Sequence, residues 1–259
     1  MTDVLDELLT DLDAESTALR AAVADLTEEQ WRTPTPAEGW DVATQIAHLA
    51  WTDEASVAAG TDKEAWDALI VAALADMEGF VDTTALEGGA VPSAELLARW
   101  DASRVALADM LRTAEGKIQW FGPSMSPASM ATARFMETWA HGLDVHEALG
   151  MTAERTDRVK HVCHLGVRTR GFAYSVRSLE APTEEIRVEL TSPSGQLWTW
   201  GDPAAVQSVT GPAWDFAQLV TQRIHRDDTA LVAEGADADQ WLSIAQAFAG
   251  PPGKGRDRA

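Results

Sequence analysis

Thiols are almost absent from this 259-residue chain: Cys163 stands alone, so no disulfide can close within it. That scarcity suits a reducing compartment. Positive charge is scarce too, with 20 Lys and Arg against 41 Asp and Glu, a formal net charge of −21 and a pI near 4.5. So acidic a surface repels nucleic-acid phosphates and anionic lipid heads, which argues against either as a partner. No run of about 18 apolar residues occurs, so no transmembrane helix is expected. The opening MTDVLDELLTDLD lacks the basic stretch and apolar core of a signal peptide. The expectation is a soluble cytoplasmic protein. What the chain does have is 46% hydrophobic residues, enough to bury a sizeable core.

The first 180 residues read as successive helices. Val4, Leu5, Leu8, Leu9 and Leu12 recur at helical spacing, and Leu19, Val23 and Leu26 continue the stripe. Thr33-Pro-Thr-Pro36 interrupts it as a stiff, extended connection. Asp41 is a good N-cap for a second helix toward Gly60, and a third is expected from Lys63 to Thr84. A break follows at Glu87–Ser93, where Ser93 should cap a fourth helix. Ser126-Pro127 reads as an N-cap with proline at the first helical position, and Gly150 closes that fifth helix. A sixth is expected over Arg155–Leu179. After Ala181-Pro182 the texture changes. Glu185–Leu190 and Gln196–Trp200 alternate apolar and polar residues around Ser192-Pro-Ser-Gly195, the pattern of a hairpin. Val206–Thr210 offers a third strand, and helices are expected near 212–226 and 238–248. The reading is mainly α: a helical domain over 1–180, a small α+β domain over 181–250, and a tail, 251–259, that frays.

Two segments carry candidate chemistry. Gly39-Trp-Asp-Val-Ala-Thr-Gln-Ile-Ala-His48-Leu49 places a histidine on or near the apolar face of its helix. Glu137-Thr-Trp-Ala-His141-Gly-Leu-Asp144 places a carboxylate and an imidazole one turn apart on one face, with Asp144 continuing the stripe. One further imidazole from a facing helix makes three ligands and leaves a position open, as in catalytic zinc sites. A nitrogen and oxygen set would also suit iron, nickel or manganese. The same spacing is equally met by a packed core histidine and a surface ion pair, so spacing alone leaves the matter open. Asp144 is either an orienting partner for a ligand histidine or a solvated residue. His146, about 140° round the helix from His141, should not share the ion. His161, His164 and Arg168 share one helix face, more simply a solvated one, and Cys163 reads as a buried structural thiol. Arg134 and Arg223 are candidate anchors for a carboxylate, of a substrate or a cofactor, because guanidinium grips carboxylate with paired hydrogen bonds.

Three features together, GWDVATQIAHLA, an 89-residue interval from His48 to Glu137, and ETWAHGLDVHEALG, resemble the metal-binding helical domain of mycothiol-dependent maleylpyruvate isomerases in the DinB-like superfamily. Gly211-Pro-Ala-Trp-Asp-Phe and Thr221-Gln-Arg223 resemble that family's small α+β domain. The resemblance implies a DinB-like four-helix bundle with zinc held by His48, Glu137 and His141, and carries the family's C-terminal arginine over to Arg223. The stretch Trp214–Arg226 is bulkier and more charged than the helix expected in isomerases proper, so the likeness is to a metal-binding branch set beside them. The function it implies is a zinc enzyme that activates a low-molecular-weight thiol, mycothiol, for transfer to or isomerisation of a small electrophile. Arg223 and Asp144 would serve substrate or ligand orientation. Metal-assisted hydrolysis on the same site and a non-catalytic small-molecule binding protein are the alternatives.

Overall fold

Apolar residues recurring every third or fourth position build ten α-helices among the residues the computed structural model describes, 2–259. The residues fall into two units, the first ending at Ala153 and the second beginning at Glu154.

The first unit is entirely helical: α1 (Thr2–Val23), α2 (Val42–Thr61), α3 (Lys63–Ala75), α4 (Phe80–Gly89), α5 (Ser93–Thr113) and α6 (Pro127–Ala148). The long helices α1, α2, α5 and α6 form the bundle, with α1 against α6 and α2 against α5 and α6. Their shared core includes Leu19, Val23, Trp31, Ile46, Leu49, Leu96, Trp100 and Val145, all nearly or wholly buried. The Asp41 carboxylate accepts from the Thr44 amide at 2.8 Å and starts α2. Ser126 caps α6 ahead of Pro127, as the sequence indicates. Ser93 does not cap α5. Pro92 holds that position, and Ser93 is instead tied to the Glu28 carboxylate.

The single helix expected over 63–84 is two. Asp76 leaves helical geometry and its carboxylate caps the Gly79 amide at 2.9 Å. The break expected over Glu87–Ser93 narrows to 90–92, because α4 runs on through Gly88-Gly89. A Cβ on Gly89 would lie 3.1 Å from the Thr44 amide, so glycine lets α4 close on the start of α2.

The second unit holds α7 (Lys160–Arg168), α8 (Arg170–Ser175), β1 (Ile186–Thr191), β2 (Leu197–Trp200), β3 (Gln207–Pro212), α9 (Ala213–Val220), β4 (Val232–Glu234) and α10 (Ala236–Ile244). The sheet order is β2-β1-β3-β4. β1 and β2 form the expected antiparallel hairpin, with Val188 opposite Trp200. β3 runs parallel to β1, Val188 opposite Val209, and β4 is an added antiparallel edge.

The division at 153/154 lies well before the expected 180/181, and packing explains why. Gly166 of α7 sits directly against Val220 and Phe216 of α9, and Cys163 Sγ lies 3.3 Å from the Ala213 carbonyl. The chain over 155–179 is also not one helix. Thr169 separates α7 from α8, its hydroxyl lying 2.9 Å from the carbonyls of both Leu165 and Gln246. The tail has no regular structure, yet its terminal Ala259 amide donates to Asp228 at 2.8 Å.

Candidate metal centre

Helix geometry brings the two sequence segments together. Gln45 and His48 lie three residues apart on α2, and Glu137 and His141 four apart on α6, so each pair presents to the facing helix. Glu137 Oε2 lies 3.4 Å from His48 Nε2 and 3.1 Å from His141 Nε2. The ligand atoms of all three residues gather within 4.8 Å of one another. Ligands placed tetrahedrally at zinc-like bond lengths of about 2.0–2.1 Å stand about 3.3 Å apart, so these edges fit a small divalent ion.

The surroundings prepare the donors. Burial, followed by the neighbouring His141, pushes His48 down to about 4, so its ring is neutral at pH 7 and free to ligate. Burial alone would raise the Glu137 carboxyl, but contacts with His141 and His48, backed by the Arg134 guanidinium, hold it well below the usual carboxylate range. The His48 Nδ1 atom is buried with no hydrogen-bond partner.

Aromatic rings close over the imidazoles. Trp40 stacks on His141 with centroids 5.8 Å apart and leans on His48 at 5.2 Å, while Trp51 lies 6.0 Å from His48. Phe80 and Phe121 extend this wall beyond Trp51. The Trp40 indole nitrogen donates to Asp82 of α4 at 3.0 Å, which holds the ring in place.

The remaining candidates separate. Arg134 is only 3% exposed, lies 3.8 Å from Glu137 and stacks on Trp120 at 4.7 Å, with Nε and Nη1 unpartnered. Its charge is directed at Glu137 from inside the bundle. Asp144 is buried on α6. It is not solvated, and the partner that orients His141 through Nδ1 is Gln45, at 2.5 Å. Sequence reading passed over Gln45. The one signal was a polar side chain on the buried face a single turn before His48. His146 turns back to the Gly142 carbonyl at 2.7 Å. His161, His164 and Arg168 lie on α7 in the second unit, where His164 accepts from the Trp200 indole at 3.3 Å. Burial raises the Cys163 thiol far above its usual range, in keeping with a structural role. Arg223 is also in the second unit, just after α9, with Nη1 donating to the Thr221 carbonyl at 2.7 Å.

The ligand geometry can be set beside known proteins. Residues 12–146 match the family model described as the mycothiol maleylpyruvate isomerase N-terminal domain, and this span includes His48, Glu137 and His141. The chain belongs to this family. Two curated relatives, from two strains of Mycobacterium tuberculosis and both described as uncharacterized proteins, are each 52% identical over 248 residues, covering 95% of this chain and 96% of theirs. Two solved structures share the fold of the family member as a whole. One is described as mycothiol-dependent maleylpyruvate isomerase, with a TM-score of 0.60 at 15% identity, covering 90% of this chain and 95% of that one. The other is a histidine-to-alanine mutant of that enzyme, with a TM-score of 0.61 at 16% identity and the same coverage.

Proposed function

We propose that this family member is a zinc-dependent enzyme that uses a low-molecular-weight thiol, mycothiol, to transfer to or isomerise a small electrophilic substrate. The observation that carries the reading is the meeting of His48, Glu137 and His141 through one carboxylate oxygen, at 3.4 and 3.1 Å, beneath an aromatic roof. Membership of the mycothiol maleylpyruvate isomerase family, and a fold shared with a mycothiol-dependent maleylpyruvate isomerase, support the choice of thiol.

These residues fit the ion in number, spacing and chemistry. His48 offers a neutral ring, Glu137 an ionised carboxylate, and His141 a ring anchored from behind. Bound there, zinc would supply a Lewis acid that favours the thiolate over the thiol at neutral pH. Trp40 and Trp51 limit water on one side of the site and offer flat apolar surface to a small substrate. Arg134 adds to the effect of His141 and His48 in keeping Glu137 charged. The resemblance implies an anchoring role for Arg223 toward an acidic group, and Asp144 is kept as a further orienting residue beside Gln45, which makes the bond at His141 Nδ1.

Cobalt-substituted protein tests the thiol. Addition of mycothiol should produce a sulfur-to-cobalt charge-transfer band, absent in Glu137→Ala. A protein that holds cobalt yet shows no such band with mycothiol would remove thiol activation and leave the metal site to other chemistry.

A further inference from the structure

We propose that Gln45, held by Thr35 and the Trp40 carbonyl, is a positioning residue that locks His141 in its Nδ1–H tautomer and so presents the Nε2 lone pair to the metal. The inference rests on the metal reading for one of its two readouts only.

Counting protons along the chain of contacts forces the direction of every bond. A backbone carbonyl only accepts, so the Thr35 hydroxyl, 2.9 Å from the Trp40 oxygen, donates its one proton there. With that proton committed, Thr35 Oγ1 meets the Gln45 amide, 2.9 Å away, only as an acceptor. The amide is thereby oriented, NH₂ toward Thr35 and Oε1 toward His141. An amide oxygen cannot donate, so the bond at His141 Nδ1 is an N–H donated by the ring. In a neutral imidazole the other nitrogen then bears the lone pair.

That lone pair faces Glu137 Oε2 across 3.1 Å. Two acceptors at this separation are drawn together only by a positive charge between them, a proton that makes the ring an imidazolium donating to Glu137 or a metal ion in its place, and the site's third ligand atom, His48 Nε2, points at the same oxygen. Reversing the amide would reverse the result, placing a proton on Nε2 where the ion belongs. The starting point of the relay is itself fixed. The Thr35 amide also donates to the Trp40 oxygen at 2.8 Å, Pro34 and Asp41 form an antiparallel bridge, and Gly39 turns the loop between them at φ +78°. The short connection before α2 thus determines which nitrogen of a histidine on α6 can bind metal. Partners of this kind commonly change metal affinity by about 10–100-fold.

The test compares wild type with Gln45→Met, Gln45→Glu and Thr35→Val. Long-range proton–nitrogen NMR on chelator-treated protein reads the His141 tautomer, and competition with a zinc chelator reads affinity. Gln45→Met should mix the tautomers and weaken zinc about 10–100-fold. Gln45→Glu keeps an acceptor and should restore both. Thr35→Val should move both the same way by less, and it carries the test if Gln45→Met does not fold. A Gln45→Met or Thr35→Val protein with an unchanged tautomer and affinity overturns the proposal. Wild type that binds no zinc would defeat the metal reading, while the NMR comparison would still decide the role of Gln45.

Discussion

Asp53 shows how much one buried group can set. It lies on α2 just past the ligand turn, 7% exposed, with Ser103 Oγ 3.5 Å away. The Ser103 hydroxyl is better placed to donate to the Trp100 carbonyl, at 2.9 Å. Burial therefore dominates and raises Asp53 to about 7, against the opposing charges of Arg134 and Arg104. The folded state then holds a proton that the unfolded chain, with a carboxyl near 3.8, has already lost. Stability contributed by this group is full below about pH 4 and falls as pH rises through 7. Asp53→Asn should remove that fall and be the more stable protein above pH 7, by roughly 2–4 kcal/mol at most. Urea unfolding of both proteins from pH 5 to 8.5 checks it, and parallel curves would contradict the account. Single residues of this kind were only partly legible. His48, Glu137 and His141 stood out because their spacing matches helix faces, whereas Gln45 and Asp53 are ordinary residues whose meaning comes from burial and partners on other helices.

Among elements, α2 and α6 were readable because each announces its own start. Asp41 and Ser126-Pro127 are local signals that need no tertiary context. The capping bonds from Asp41, to the Thr44 amide at 2.8 Å and its hydroxyl at 2.7 Å, make a prediction at this scale. Asp41→Ala should cost about 1 kcal/mol and lower Tm by about 2–4 °C. Metal content should not change, since the Pro34–Asp41 bridge and the bond from the Gln45 amide to the Asp41 carbonyl are backbone contacts that the substitution leaves in place. Calorimetry with metal analysis would separate these effects, and loss of metal at unchanged Tm would contradict them. Elements defined by long-range packing were not readable. The α3–α4 break is local but faint: Asp76-Met-Glu-Gly79 follows an apolar, alanine-rich run with no proline, and its one signal is the Asp76 cap on the Gly79 amide. The α7–α8 break depends on Thr169 meeting the Gln246 carbonyl. β4 has three residues and exists because β3 offers it an edge.

At the scale of the molecule, the mainly α architecture with a small sheet followed from the change in periodicity near residue 181, but the division at 153/154 did not. α7 resembles the preceding helices in sequence yet belongs to the second unit, because Gly166 lets it close on α9, which in turn packs against β1 and β3. No helix among the described residues is long and apolar enough to cross a membrane. The bundle's purpose, on this account, is to hold two histidines and one glutamate from two helices around one ion. Metal content is therefore the direct test, by plasma mass spectrometry on wild type and on His48→Ala, Glu137→Ala and His141→Ala, with circular dichroism on each. The account predicts about one zinc per chain in wild type and its loss in every variant with helical signal retained. Wild type that takes up no zinc, iron, nickel or manganese on reconstitution, or variants that hold metal as tightly as wild type, would contradict it.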